Sequence, residues 1–497
     1  MTPAAVVLLL SCGGSDAPTG PSDGNDSGRT GLFRVGDAPL ADTIEGSVSV
    51  TFEVLDASGP RQGVVIWLTS ALRSDRFPML RFTARSGGIL ADSLSLLTGA
   101  DGRVTFFARL GRLADTVTVT ASAATGTRLS MLFTVQPGAP TALDATPADT
   151  TVYAGGSYRL SAHLRDRVRN PVNGTPTFAS LRTEVAEVST AGDVTARGIG
   201  RTSIAVRLGA LVDTVGVSVP PEGRIAYARF FAIYEVNLNG SDPTLVIEDA
   251  RKVAAPAWSA DGGTLAWGTL GSLMTATGPV VTTILHDATI NGPSLPRFSP
   301  DGRWIYFNGK SMNGSSVSNS VLFRIDLGDR TVEELTPTGD VDDSAPDVSP
   351  DGTMIAFGST RWTPYPYQSM VRLLDPSTLV VTDLGVRGTR PRWSPDGQWL
   401  AYVVAGAGWR PNPVGREFGA GPLAIVRPGG TDRRVIHTGL KTFHPGIDWS
   451  PDGKYLIASN SMSQMDIVVV ETGEIIPLTF LRGEGVDIYH PDWKPPA

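Results

Sequence analysis

Cysteine occurs once in the 497 residues, at Cys12. The chain therefore has no disulfide framework and no cysteine-based metal site. Histidine occurs five times, at His163, His286, His437, His444 and His490, with none of the spacing that zinc motifs require. Lysine is also scarce, at Lys252, Lys310, Lys441, Lys454 and Lys494, and the formal net charge is −7. A nucleic-acid binder needs a basic stripe, and none is present. Beyond the first residues no apolar run approaches the ~18 residues of a membrane helix. Residues 222 to 497 contain no Gly-x-Ser-x-Gly nucleophile elbow. These absences imply no metal, no cofactor and no catalytic residue.

What is abundant is short strand and turn. Ser259-Ala-Asp-Gly262, Ser299-Pro-Asp-Gly302, Ser349-Pro-Asp-Gly352, Ser394-Pro-Asp-Gly397 and Ser450-Pro-Asp-Gly453 recur, each after a strand ending in Trp258, Phe298, Val348, Trp393 or Trp449. Pro presets φ, Asp bonds its own backbone two residues on, and Gly supplies φ > 0, so the phrase is a tight strand connector. An apolar triplet follows each copy, beginning at Leu265, Ile305, Ile355, Leu400 and Leu456. Asp261, Asp301, Asp351, Asp396 and Asp452 look catalytic only one at a time. Five copies at one turn position mark a structural device.

Ile225-Ala-Tyr227 adds a sixth triplet and Pro491-Asp-Trp493 a sixth pre-turn phrase. Six starts and six finishes make six blades, at the ~40–45-residue period of four-stranded propeller repeats. The triplets are expected to be the innermost strands, with a poor second strand near Leu273-Met-Thr-Ala276. In register, these phrases make residues 222–497 resemble the TolB-type six-bladed β-propeller. That resemblance implies an envelope protein that binds protein partners.

The front half reads differently. Residues 1–12 end in Leu9-Leu-Ser-Cys12 and resemble a bacterial lipobox, which implies that Cys12 is lipidated after export. Residues 13–31 are small and polar, too poor in apolar groups to order themselves, and form a tether. Residues 32–137 hold dense short strands such as Val48–Leu55, Gly63–Leu68, Val104–Ala108 and Thr116–Ala121, the pattern of a sandwich. They resemble the invasin/intimin-type bacterial Ig-like domain. Residues 138–221, with Gly192-Asp-Val-Thr-Ala196 before Gly200-Arg-Thr-Ser-Ile204, resemble the second bacterial Ig-like type. Leu113-Ala-Asp-Thr-Val-Thr-Val and Leu211-Val-Asp-Thr-Val-Gly-Val suggest one closing strand used twice. The expected class is all-β: two Ig-like β-sandwiches followed by a six-bladed propeller.

Function is sought where the repeat breaks its period. Arg361-Trp-Thr-Pro-Tyr-Pro-Tyr367 and Gly408-Trp-Arg-Pro-Asn-Pro-Val-Gly-Arg-Glu-Phe418 are insertions in adjacent blades, on the face opposite the turns. Trp, Tyr and Arg are enriched in binding hot spots, and proline stiffens loops against entropy loss. Trp362, Tyr365, Tyr367, Trp409, Arg410 and Arg416 are the candidate contacts to a protein or glycan of the cell envelope; the alternative is that these aromatics only cover strand ends. The expectation is a non-catalytic, exported lipoprotein facing the periplasm or cell surface, on the outer membrane. One rival is a hydrolase or lyase acting on a glycan or peptide at the channel, which needs carboxylates, His or Arg converging there; His444 and His490 are the histidines best placed for it. Another is a structural or adhesion protein acting through its Ig-like domains. Cys12→Ser is expected to move the protein from the membrane fraction to the soluble fraction, as read by fractionation and immunoblot; unchanged partitioning would count against the anchor.

Overall fold

The computed structural model describes residues 29–70, 80–229, 232–248, 254–312, 319–337, 341–360, 369–405, 421–438, 446–461, 464–481 and 488–496. The described chain is strand throughout apart from one 3-10 turn at Thr479–Leu481. It divides into two compact units.

The first unit spans the residues up to Ala142 together with Leu164–Asn173. Strands Gly31–Val35, Ser47–Asp56, Arg103–Leu110 and Leu80–Thr83 form one sheet, with Gly59–Pro60 at its side. Ala41–Thr43, Arg128–Gln136, Thr116–Ala123, Val65–Ser70 and Ser93–Leu97 form another. Alternation builds the core: Val50, Phe52 and Val54 are buried while their neighbours face outward, as a two-residue period dictates. They share one cluster with Phe106 of the same sheet and with Ile66, Leu68, Val119 and Phe133 of the other. Phe52 and Phe106 stack at 5.3 Å. Thr116–Ala123 does not close this unit, because it turns into a hairpin with Arg128–Gln136.

The second unit comprises Leu143–His163 and Gly174–Ala497. Its first part contains a four-stranded sheet, Asp149–Thr151, Leu211–Val219, Gly200–Leu208 and Thr177–Ser180, and a three-stranded one, Ser157–Arg159, Asp193–Ala196 and Ala186–Val188. Val185, Val194, Ile204, Val206, Val215 and Val217 are buried there. Beyond residue 222 come six four-stranded antiparallel sheets. Their innermost strands are Ala254–Trp258, Ile290–Phe298, Asp343–Val348, Thr389–Trp393, Ile447–Trp449 and Ile488–Trp493. Each contacts the next, and the last contacts the first, so the sheets close around a channel as a β-propeller. The Ile488–Trp493 strand pairs with Arg224–Arg229 and completes the sheet that begins the propeller.

This order corrects the sequence expectation. The channel strand is the one before the Ser-Pro-Asp-Gly turn, and the apolar triplet is the second strand. Pro256, Pro296, Pro346, Pro391 and Pro491 lie in pre-turn strands. Proline cannot donate to a ladder, so these strands must lie at a sheet edge; the inner edge is the one they occupy. The second correction concerns Ser272–Thr277, which is a six-residue strand paired on both sides, with one register shift at Leu273/Met274.

The turns bind themselves together. Each Ser hydroxyl donates to the Asp two residues on, at 2.5–2.6 Å. The same carboxylate accepts an N–H two residues further, and the Ser oxygen accepts the N–H five residues on. These bonds, the Ser hydroxyl first, hold the Asp301 and Asp351 carboxyls below their ordinary range. Asp351→Ala is expected to lower stability by about 1–2 kcal/mol through loss of these local bonds. The check is the propeller unfolding midpoint; no change would remove the turn role.

Candidate functional site: the charged ring of the channel

One residue before the end of each channel strand, the six sheets place Ala257, Arg297, Asp347, Arg392, Asp448 and Asp492. The preceding backbone is strained in the same way almost every time. Ala255, Leu295, Ala345, Arg390 and His490, each before a proline, have φ between 48° and 55°. A non-glycine residue there costs of order 1–3 kcal/mol. In all five of these strands the pairing register slips next to this point, at Ala254/Ala257, Ser294/Arg297, Ser344/Asp347, Thr389/Arg392 and Tyr489/Asp492. Such bulges re-aim side chains, and here they lie beside four of the five charged groups, Arg297, Asp347, Arg392 and Asp492. In the sixth sheet the equivalent position is Gly446, just before strand Ile447–Trp449 and without the positive φ. A Cβ on Gly446 would lie 2.5 Å from the Cα of His490, so only glycine lets these strands approach.

The ring is wired between strands. Asp492 Oδ2 accepts the N–H of Trp258 at 2.7 Å, Asp347 Oδ2 that of Trp393 at 2.7 Å, and Asp448 Oδ2 that of Trp493 at 2.6 Å. Each aspartate thus fastens the next strand around the ring. Arg297 then reaches both Asp347, at 3.3 Å, and Asp492. Asp492 is two strands away in the ring, and the contact is open because Ala257 stands between them. Two residues deeper, Arg390 Nη1 bonds His490 Nδ1 at 3.0 Å. A guanidinium is always a donor, so Nδ1 accepts and the ring proton sits on Nε2.

Burial and charge then act against each other. Burial raises the Asp347 carboxyl, against the pull of Arg392 and Arg297. Burial, followed by repulsion from Asp492, pushes Asp448 up to about 7. Burial draws Arg392 down to about 10, with the Arg297 charge adding to it. Arg297 goes the other way: its buried charge is more than compensated by Asp492, Asp448 and Asp347.

A second concavity lies in the same unit. A cleft of about 590 Å³ is lined by Tyr153, Glu222, Arg224, Tyr455, Trp493 and Lys494, among others. Beside it the smaller sheets are tied to the propeller by Tyr153 Oη to Gly223 O at 2.9 Å, Thr151 to Thr479 at 2.7 Å and Arg182 to Glu474 at 2.6 Å.

The residues proposed from the sequence fare unevenly. Trp362, Tyr365, Tyr367, Trp409, Arg410, Arg416, His444 and Cys12 lie outside the described residues. His490 stands in the channel. His163 and His286 bond Thr146 and Ser272 at the surface, and His437 is buried beside Asp466. The five turn aspartates are held in their own turns. Sequence reasoning missed the ring, although its signal was present: a charged residue stands directly before the strand-ending residue in five of six pre-turn strands. Among the described residues no group of three His, Cys, Asp or Glu is arranged to hold a metal ion.

No family model matches the chain. Uncharacterized protein Atu1656 of Agrobacterium fabrum is 35% identical over 118 residues, which is 22% of this chain and 38% of that protein; the match spans well under half of the relative's length. Among solved structures, TolB from Acinetobacter baumannii is 18% identical, covering 65% of this chain and 83% of that chain, with a TM-score of 0.45. An oligogalacturonate lyase in complex with manganese is 17% identical, covering 52% and 74%, with a TM-score of 0.33.

Two outcomes follow from the ring. Arg297→Met leaves Asp347 and Asp492 buried without their cation, and breaking a buried pair this way costs about 3–5 kcal/mol. It should show as a marked fall in the unfolding midpoint read by tryptophan fluorescence; an unchanged midpoint would mean the pair is not structural. For Asp448 the folded pKa of about 7 exceeds the ordinary value of 3.8. The stabilising contribution is therefore complete below about pH 4 and lost as the pH rises to about 7. Asp448→Asn, whose amide oxygen can still accept from Trp493, should gain on the wild type steadily across that window and hold its advantage above it. A constant difference from pH 4 to 7 would exclude the raised pKa.

Proposed function

We propose that this protein is an exported, lipid-anchored, non-catalytic binding protein of the bacterial envelope. In this reading two Ig-like sandwiches form the mount and a six-bladed propeller is the recognition head for a protein or glycan partner. The observation that carries it is the wiring of the ring. Each channel carboxylate has one oxygen committed to a main-chain N–H of the neighbouring strand, and Arg297 is committed to two of them. A general acid or base must move a proton to substrate, and groups fastened into the walls are poorly placed for it. A pre-arranged charged channel with fixed walls suits recognition, because little entropy is lost when a partner docks. The ties from Arg182, Thr151 and Tyr153 to the propeller support the role of the second sandwich as a mount.

One observation favours a second reading. Asp448, raised to about 7 near Arg392, has the poise of an acid catalyst, and carboxylates, Arg and His490 do converge in the channel. A lyase or hydrolase acting there on a glycan or peptide is the runner-up.

The full chain and a variant carrying Trp362→Ala, Tyr365→Ala and Trp409→Ala should be immobilised and exposed to envelope extract. The expected result is at least a tenfold loss of the recovered partner in the variant, with Asp448→Asn recovering it like the wild type. Equal recovery by the triple variant would sink the loop-face reading. Turnover of a glycan or peptide that Asp448→Asn abolishes would replace binding with catalysis.

A further inference from the structure

Arg392 and Arg297 occupy the same ring position but have different partners. Arg297 contacts two aspartates. Arg392 is 5% exposed, yet among the described residues its side chain's one hydrogen bond is from Nη1 to the carbonyl of its own neighbour Pro391, at 2.9 Å. Its Nε is buried with no hydrogen-bond partner among the described residues. No described carboxylate comes within the 4.0 Å of an ion pair, although Asp347 and Asp448 stand on the strands either side. Asp347 is turned to Arg297 and Trp393, and Asp448 Oδ2 to Trp493. The backbone does not relax this arrangement. The Arg392 carbonyl accepts the indole N–H of Trp449 at 3.0 Å, and the strained φ of 53° at Arg390 pins the strand from the other side.

A guanidinium offers five donors in a planar fork that matches a carboxylate with two parallel bonds. Leaving such a group buried and unmatched costs the desolvation of a charge. An incoming carboxylate removes that cost, whereas a neutral ligand does not. Asp448, at the neighbouring ring position, is half-buried, whereas Arg392 is almost fully covered. When Asp448 carries its proton, the ring holds two guanidinium groups and two carboxylates. Arg392 is then the cation that none of them contacts.

We propose that the channel contains a carboxylate-binding site in which Arg392 is the anchoring residue. It deepens the binding reading above and rests on it for its biological role, while the site itself can be tested without the partner. Two sources share this chemistry: a small free carboxylate, and the carboxyl terminus of a polypeptide entering the channel.

The unfolding midpoint of the full chain should be followed by tryptophan fluorescence during titration with sodium acetate, against sodium chloride at equal ionic strength. Tetraglycine is then compared with tetraglycine amide. A ligand that binds only the folded state raises the midpoint, and a rise of about 2–4 °C at saturation is expected with acetate and not with chloride. Arg392→Met should abolish the response and Arg392→Lys should reduce it at least tenfold in apparent affinity. Arg303→Met, which alters an exposed arginine bonded to Asp326, should respond as the wild type does. A greater rise with tetraglycine than with its amide assigns the site to a polypeptide terminus; a response to acetate alone assigns it to a small carboxylate. Equal responses to acetate and chloride, or an Arg392→Met protein that still responds to acetate, would overturn the proposal. The unliganded Arg392→Met protein should still unfold in a single cooperative transition, which separates lost binding from lost folding. Equal partner capture by the loop variant and the wild type, with the acetate response intact, would remove the loop face and leave this site standing.

Discussion

The propeller depends on buried charge held by backbone. Three aspartates at one ring position each accept a main-chain N–H from the following strand, and Arg297 spans the gap left by Ala257 to neutralise two of them. A carboxylate in that setting is costly unless its lone pairs are filled, so every strand must keep its register for its neighbour to be satisfied. The strained residues before the prolines follow from this. The bulge that brings a charged side chain inward is held because the hydrogen bonds it enables offset the strain.

The same requirement separates parts of the molecule that look alike in sequence. The turn aspartates and the ring aspartates lie only a few residues apart, yet the first satisfy themselves within one turn and the second only across strands. The turns are therefore local and repeatable. The ring is collective, and a change at one position is felt at the others. Arg392 is the exception, a cation whose matching carboxylates are turned elsewhere, and it is where the channel has donor capacity to spare.

Much of this was legible in the sequence. The Ser-Pro-Asp-Gly phrases and the triplets marked the repeat and its period, because turn chemistry and alternation act over a few residues. The edge character of the pre-turn strands was legible too, in prolines that cannot donate. Which edge they form was not, since the inner and outer strands of a twisted sheet make the same local demands on proline. That one ambiguity hid the ring: with the pre-turn strand taken as outer, Arg297, Asp347, Arg392, Asp448 and Asp492 read as surface charge. The segment near Leu273 looked weak because Ser, Thr and Met dilute its apolar pattern, yet pairing on both sides makes it a full strand.

By itself, then, the amino-acid sequence determined an all-β chain with its strands, turns and repeat number, all properties settled between near neighbours, together with its single cysteine and its want of clustered base. Only the tertiary structure decided which strands face the channel and which charges meet there. Arg297 and Asp492 lie 195 residues apart, and no local rule pairs them; closure of the ring does, by bringing the last strand against the first sheet. The identity of the unmatched charge was likewise undecided until closure, because Arg297 and Arg392 are equivalent in sequence and differ only in which carboxylates the closed ring turns toward them.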